Sequence, residues 1–355
     1  MCQVEIKILE IIFLKIQKKW KNKNSLKNSD NKKVLITNVY DHVVYTTTEI
    51  VIGKNLMEMF NADGIALLNE YNLKQILLFK SFGINKIIIL RNFNIFVRFR
   101  YFIKAYLIIK SCKNMDEFLN FNINNVDIGK SVYDHYLRHS GIGTTNEFNR
   151  LFYANLSKSL LIYYQINNFF KRYKIIASVQ SEKQFIPGAI FFQSALANGI
   201  NVYSKVGHLT NRFCVKKYSN INARYTSRSR ISKKLYDLIN KKNRKMAVEI
   251  GGEIIKKRFE NIAKYKTFNV YYGLPDFTKG KKKVMIEKKN ITKEDLCKKL
   301  GWSPDSSIGV IFSSDLTDGV FDGTWALFRD RLTWLRESLH EIKKINNINW
   351  LYHRE

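Results

Sequence analysis

Short apolar segments alternate with longer helix-period segments along much of this chain, and no other pattern restricts the fold class as strongly. In the amino-terminal half the apolar segments are 34–39, 65–68 and 86–90. The stretches between them, 48–60 and 73–82, carry apolar residues at helical spacing. Strands and helices that alternate in this way favour a parallel sheet with helices on both faces. The sequence therefore predicts an α/β fold with a doubly wound sheet.

The alternation resumes further along the chain. Residues 175–179 form another apolar segment, and a helical stretch then begins at Pro187 and ends before Gly199. Proline is favoured at helix starts and glycine just after helix ends. Residues 202–204 return to a strand pattern. Between the two groups of strands, residues 96–110 form a long aromatic and basic helix, which we interpret as scaffold.

A second strand–helix–strand segment occupies residues 307–355. It consists of a strand at 308–312, a loop rich in Ser, Asp and Gly, a helix-period stretch that extends from Trp325 to Ile342, and a strand at 348–352. The loop lies at the carboxyl end of the first strand, where ligands bind in open α/β sheets. Backbone N–H groups at the start of the following helix favour an anion such as a phosphate. We therefore expect a binding crevice there.

The same segment carries a Phe-Ser pair at the end of its first strand, an Asp a few residues later, a Trp in the helix, and an Asn-Trp strand that runs into a His. These features lie at Phe312, Ser313, Asp318, Trp334, Asn349, Trp350 and His353. In this pattern the segment resembles a bacterial family of capsule and surface-polysaccharide biosynthesis proteins related to GT-B glycosyltransferases. That family has His where Ser314 stands and Pro where Arg354 stands.

A second point of resemblance is the stretch IGKSVYDHYLRHSGIGT at 128–144. The same family commonly carries a Gly, a Tyr-Asp pair and a Leu-Arg pair here, matched by Gly129, Tyr133, Asp134, Leu137 and Arg138. The resemblance implies a GT-B-like protein with two Rossmann-like doubly wound domains, of which the first binds the acceptor and the second the donor nucleotide.

On the donor side the resemblance points to Ser313, Asp318 and His353, and we add Ser314 and the basic Arg354 as contacts for the phosphates. The donor is a nucleotide-sugar, and no cofactor is expected. No Asp-x-Asp pair is present to hold a metal, and Asp315, Asp318 and Asp322 lack EF-hand spacing, so no metal is expected either.

For the catalytic base we predict Asp41 and His42, which follow the first strand directly. A histidine there has a suitable intrinsic pKa. The alternative is that His42 is only a loop residue.

Acceptor-side contacts are expected at Asp134, Arg138, Glu182 and Lys183. For Asp134 and Arg138, which fall at helical spacing, a structural cap or ion-pair role is an equal alternative.

The chain is strongly basic, with 60 Lys and Arg against 30 Asp and Glu and a net charge of +30. Such a charge suits an anionic membrane surface or nucleic acid. An AT-rich genome explains it equally well, because Lys, Asn, Ile, Tyr and Phe are abundant together. No specific nucleic-acid motif is recognisable.

Four widely separated cysteines suit a reduced cytoplasm, without disulfides or zinc.

An apolar stretch at 4–16 is too short to span a bilayer and is interrupted by charges. With the basic residues after it, this stretch could lie on an anionic membrane surface as a peripheral contact. The alternative interpretation, a packed helix with a solvated tail, stays open.

Four segments follow from these patterns: a basic helix and tail at 1–30, an acceptor-side Rossmann-like domain at 31–210, a basic helical connector at 211–290, and the start of a donor-binding domain at 291–355. A complete Rossmann-like domain needs on the order of 120–180 residues. We therefore expect an incomplete second domain and weak or absent transferase activity.

The function expected is sugar transfer from a nucleotide-sugar to a glycan or lipid-linked acceptor in surface polysaccharide biosynthesis. A non-catalytic sugar- or partner-binding member of the family, or a basic nucleic-acid-binding protein, are the alternatives.

Overall fold

The structure is a computed structural model, and it describes most of the first 221 residues and part of the carboxyl-terminal region. The described residues are 31–39, 43–90, 94–206, 214–221, 243–246, 248–249, 252, 292–313, 316–317, 320–321, 328–345 and 347–354. The chain divides into two compact units. Unit 1 comprises Met1–Val206, Cys214–Tyr225 and Thr317–Ala326, and unit 2 comprises Gly207–Phe213, Thr226–Leu316 and Leu327–Glu355.

Unit 1 is built on a six-stranded sheet with the order β3-β2-β1-β4-β5-β6. Strands β1 to β5 run parallel, and β6 is antiparallel to β5. This is the order of a Rossmann-type, doubly wound sheet, so the predicted parallel α/β fold is confirmed for this unit. Strand β6 falls inside the stretch that the sequence analysis interprets as connector. The strands are β1 Lys33–Asn38, β2 Asp63–Leu68, β3 Lys86–Ile89, β4 Ile175–Val179, β5 Asn201–Val206 and β6 Cys214–Tyr218.

Helices cover both faces of this sheet, because side chains along each strand point alternately to opposite sides. Val34 and Ile36 of β1 pack in one core with α1 and α2, whereas Leu35 packs in the other core with α3 to α7. The helices of unit 1 are α1 Val43–Phe60, α2 Leu73–Ser81, α3 Ile95–Ser111, α4 Met115–Leu119, α5 Ile128–Ser140, α6 Arg150–Arg172 and α7 Gly188–Ala197.

Unit 2 contains a two-stranded parallel sheet of β7 Ser307–Ser313 and β8 Ile348–Arg354, joined through helix α9 Arg331–Ile342. Strand, helix and strand follow in the order predicted for residues 307–355, but the helix begins at Arg331 and not near Trp325, because Asp330 caps it there and accepts the Thr333 N–H. Helix α8, Lys293–Leu300, precedes it and is capped by Thr292, whose hydroxyl accepts a hydrogen bond from the Asp295 N–H. None of the described helices is both long and apolar enough to cross a membrane.

The short segment Thr317–Ala326 belongs to unit 1 although it is far from the rest of that unit in sequence. Val320 is buried in the larger core, and Phe321 packs against the same core. The Phe321 ring lies 6.1 Å from that of Tyr133 on α5. A late part of the chain therefore completes the packing of unit 1.

Candidate functional site

The sheet of unit 1 has its topological switch point between β1 and β4. From β1 the chain proceeds to β2 and β3 on one side, and it returns to β4 and β5 on the other. Ligands of open α/β sheets bind in the crevice outside the carboxyl ends of the strands at such a point. Two segments follow these strands in sequence, residues 39–42 after β1 and residues 180–187 after β4.

The loop at 180–187 is held by a network of buried polar groups. Gln180 is fully buried, and its side-chain amide donates hydrogen bonds to the carbonyls of Glu182 and Gly188. The Ser204 hydroxyl donates to the Gln180 carbonyl. Glu182 Oε1 in turn accepts the backbone N–H of Phe185 at 3.0 Å. Because both ends of the loop are tied down, it forms a preorganised wall of the crevice.

Glu49 on α1 contacts this loop from the other side. Its side chain is buried, and Oε1 accepts the backbone N–H of Ser181 at 2.7 Å. Burial raises the pKa of Glu49 to about 8, the hydrogen bonds from Ser181 and the charge of Lys205 oppose the rise, and Glu182 adds to it. At neutral pH this carboxyl group is therefore mostly protonated, and a small change in its surroundings would ionise it.

Lys205, on β5, is the cationic neighbour of Glu49. Burial lowers the pKa of Lys205, whereas the Glu49 carboxylate opposes that change. Its ammonium group lies 5.1 Å from the centre of the Tyr45 ring on α1. The two groups therefore perturb each other's pKa through their charges, and perturbed pKa values of this kind are common at functional sites.

Helix α5 provides the residues on the opposite side of the loop. The Arg138 guanidinium lies 5.9 Å from the centre of the Phe185 ring, and its side chain is exposed. Asp134 is fully buried, and its Oδ2 accepts the backbone N–H of Phe321 at 3.3 Å. Arg138 is therefore placed beside the loop at 180–187, whereas Asp134 holds the segment Thr317–Ala326.

We name as the carboxyl-edge cluster the residues Tyr45, Glu49, Arg138, Ser181, Glu182, Phe185 and Lys205. Of the predicted acceptor-side residues, Arg138 and Glu182 belong to it. Glu182 serves the loop itself, because Oε1 also accepts the Gln184 N–H at 2.5 Å. Lys183 lies half-buried in the same loop. The predicted base residues Asp41 and His42 lie outside the described residues, in the short connection between β1 and α1.

Helix α5 also carries two adjacent histidines, His135 and His139, whose rings are tilted by 41° with their centres 3.9 Å apart. Burial lowers the pKa of His135 to about 3, with further contributions from His139 and Lys158. His135 therefore stays neutral at physiological pH. Among the residues that the structure describes, no group of three or more His, Cys, Asp or Glu side chains could hold a metal ion.

The predicted donor residues are brought together in unit 2 at the level of the backbone. Ser313 pairs with Arg354, and Phe312 pairs with His353, at the carboxyl ends of the parallel strands β7 and β8. The side chains of Ser313, His353 and Arg354 lie outside the described part of the structure, as do Ser314 and Asp318 entirely. The register therefore places three of the five predicted positions at one end of this sheet.

Sequence reasoning missed Glu49 and Lys205. A signal for Glu49 was present, because it follows Thr46 by three residues and precedes Gly53 by four, on the buried face of α1. A lone carboxyl on the core-facing side of a helix is unusual enough to mark a functional candidate.

Comparison with known proteins adds no relative. No protein-family model, curated protein or solved structure matches this chain.

Proposed function

We propose that this protein is a glycosyltransferase-like protein of capsule or other surface polysaccharide biosynthesis. It would transfer a sugar from a nucleotide-sugar donor to a growing glycan or lipid-linked acceptor, in a GT-B-like arrangement at the cytoplasmic side of the membrane. The observation that carries the proposal is the carboxyl-edge cluster, which gathers acidic, basic and aromatic side chains at the switch point of a Rossmann-type sheet. The likeness at residues 128–144 and 307–353 supports it from the sequence.

The chemistry required on the acceptor side is removal of a proton from a sugar hydroxyl. Asp41 and His42 are our candidates for that base, because they connect β1 to α1 at the same edge of the sheet. Glu49 and Lys205 would be positioning residues, because Glu49 accepts the Ser181 N–H at the start of the loop and Lys205 lies against the Tyr45 ring. The rigid loop at 180–187 would orient the acceptor between α1 and α5.

The chemistry required on the donor side is stabilisation of the departing phosphate. The carboxyl ends of β7 and β8 supply a hydroxyl residue, Ser313, and a basic residue, Arg354, at paired positions. Either group is suited to a phosphate oxygen, and neither needs a metal.

A thermal-stability screen with nucleotides and nucleotide-sugars tests the donor side. A ligand at about 100 times its Kd stabilises the folded state by about 2.7 kcal/mol. We expect Ser313→Ala to reduce that stabilisation and Ser307→Ala to retain it, because Ser307 lies at the opposite end of the same strand. If no nucleotide or nucleotide-sugar stabilises the wild type, the proposal is wrong.

Turnover with a lipid-linked acceptor tests the acceptor side. Asp41→Ala and His42→Ala should lower kcat by about 100-fold or more and leave donor affinity unchanged, because a general base contributes to the chemical step alone. Full activity in both variants would refute these two assignments. Donor binding without any turnover by the wild type would instead support a non-catalytic, sugar-binding member of the family.

A further inference from the structure

Helix α3 packs on unit 1 through only one of its faces. Ala105 and Ile109 are buried in the core, and the Tyr101 ring lies 5.4 Å from the ring of Tyr164 on α6. Lys104 lies over the same two rings at 5.0 Å from each. Phe102 and Tyr106 also reach α6, where their rings lie 6.2 Å and 6.1 Å from that of Tyr153. These contacts fix the helix against α6 and leave its opposite side facing outward.

The outward face of α3 is apolar, which is the reverse of the usual arrangement for a surface helix. Phe96, Ile95 and Phe99 are 79%, 72% and 63% exposed. Contiguous apolar surface of this kind on a soluble domain marks a site of interaction with a protein or a membrane. The exposed apolar side chains, spaced along one side of the helix, are Ile95, Phe96, Phe99, Phe102, Ile103, Tyr106 and Leu107.

Basic side chains accompany this apolar face, and the helix contains no Asp or Glu. On a helical projection at 100° per residue, Arg98 lies to one side of the apolar face, and Arg100 and Lys104 lie to the other. Lys110 falls within the apolar face, at the carboxyl end of the helix. Arg98, Arg100 and Lys110 are exposed, and Lys113 follows directly after the helix. The helix therefore combines a wide apolar band with basic side chains and no acidic ones.

We propose that α3 is an interfacial anchor that lies in the plane of an anionic membrane surface. Its aromatic and aliphatic side chains would enter the boundary between headgroups and acyl chains, and its Arg and Lys side chains would pair with lipid phosphates. The helix has 17 residues, so the contact would extend over about 25 Å. This inference rests on the structure of unit 1 and does not depend on the proposed function.

The basic side chains of α3 favour an anionic membrane over a second copy of this chain as the partner of the apolar face. A two-fold contact through α3 would bring the basic side chains of both helices together without a carboxylate in either one. Each copy also carries a net charge of +30, which adds repulsion at longer range. An anionic lipid surface matches the basic side chains and accepts the apolar band at the same time.

Vesicle partitioning of the full chain tests the proposal. Phe96→Ser combined with Phe99→Ser should lower the partition coefficient on anionic vesicles by at least about 10-fold, because two large apolar side chains lose their burial. The matched control is Leu73→Ser combined with Leu77→Ser, which removes two exposed apolar side chains from α2 on the opposite layer of unit 1. That control should bind as the wild type does.

The depth to which α3 side chains enter the bilayer distinguishes an interfacial anchor from the general electrostatic attraction of a basic protein to anionic lipids. Phe96→Trp should add fluorescence that brominated lipids quench, whereas Leu73→Trp should add fluorescence that they do not quench. Arg98→Gln combined with Arg100→Gln should weaken binding to anionic vesicles and reduce its salt dependence.

Two results would overturn the proposal. One is unchanged partitioning of the Phe96→Ser, Phe99→Ser variant when its circular dichroism and thermal midpoint match those of the wild type. The other is a wild-type dimer in sedimentation that the same variant dissociates, because the face would then belong to a second copy.

Discussion

Glu49 shows how one buried side chain can couple the fold to the solution pH. Its carboxyl group accepts the Ser181 N–H inside the protein, and it has Lys205 as a cationic neighbour. Strand β1, which precedes α1 and Glu49, is predictable from the sequence because its apolar run at 34–39 is clear. The spacing of Glu49 along α1 indicates a core-facing position, but its contact with Ser181 was not predictable, since that depends on how α1 packs against a loop more than 130 residues further along.

Stability should decrease as pH rises because of Glu49. Its pKa in the folded state is about 8, against 4.5 ordinarily, so the folded chain holds a proton that the unfolded chain has lost between these values. The contribution is fully present below about pH 4.5 and falls by about 1.4 kcal/mol per pH unit up to about pH 8. In Glu49→Gln the amide oxygen can still accept the Ser181 N–H, and this pH dependence should disappear. Urea unfolding of both proteins from about pH 5 to 8 measures the difference, and parallel profiles would contradict it.

His135 should have the opposite effect on the acid side. Its pKa is lowered from 6.5 to about 3, so below about pH 6.5 the unfolded chain binds a proton that the folded chain does not. The free energy of unfolding should therefore fall with decreasing pH, by about 2 kcal/mol at pH 5. His135→Phe should abolish most of this loss. His139→Phe is the control, because His139 is exposed and His135 is still present. Equal acid sensitivity in both variants would show that another group is responsible.

At the scale of elements, most strands and helices of unit 1 could be predicted to within a few residues. Strand β4 was predicted with its observed bounds. Helix α6, with 23 residues, was missed. Its Asn and Tyr content hides the pattern, yet Phe152, Leu156, Tyr163 and Ile166 recur at helical spacing and are buried. The apolar outward face of α3 could not be read from sequence, because the pattern alone does not show which face packs.

The two glycines at the ends of α5, Gly129 in its first turn and Gly141 at its C-cap, should tolerate alanine to different degrees. A Cβ on Gly129 would lie 2.0 Å from the Phe118 carbonyl oxygen, so the helix start must move away from α4. Gly141 has open space around it but a φ of +69°, which alanine adopts at a cost of only about 1 kcal/mol. We expect Gly129→Ala to lose about 3 kcal/mol and Gly141→Ala about 1 kcal/mol. Thermal or urea unfolding measures both, and an equal loss would mean that α5 is not packed tightly at its start.

At the scale of the whole molecule, unit 1 is made from segments that are distant in sequence. Nothing in residues 317–326 signals that Val320 and Phe321 pack with α5, because the pattern of the loop is polar and rich in glycine. Only the contacts of Phe321 with Tyr133 and Asp134 show that this segment packs in unit 1.

Phe321→Ala should therefore destabilise unit 1, although residue 321 is far from it in the chain. The ring is partly buried, so we expect a loss of about 2 kcal/mol, below that of a fully buried Phe. Phe99→Ala is the matched control, because that ring is exposed and its loss should change stability by no more than about 0.5 kcal/mol. Hydrogen exchange of the amides on α5 measures the effect. Unchanged protection in Phe321→Ala would mean that the segment contributes nothing to unit 1.

The late segment of unit 1 also sets an order of events during protein synthesis. Domains usually fold as the ribosome releases them, amino-terminal first, at about 5–20 residues per second. Here 187 residues separate Asp134 on α5 from Phe321, so the part of α5 that Phe321 covers emerges from the ribosome about 10–40 seconds before its cover exists. During that interval the Tyr133 ring and the Asp134 carboxylate lack the contacts that Phe321 provides. A nascent chain halted in this interval would present an unfinished surface to chaperones, and release of Thr317–Ala326 would end that exposure.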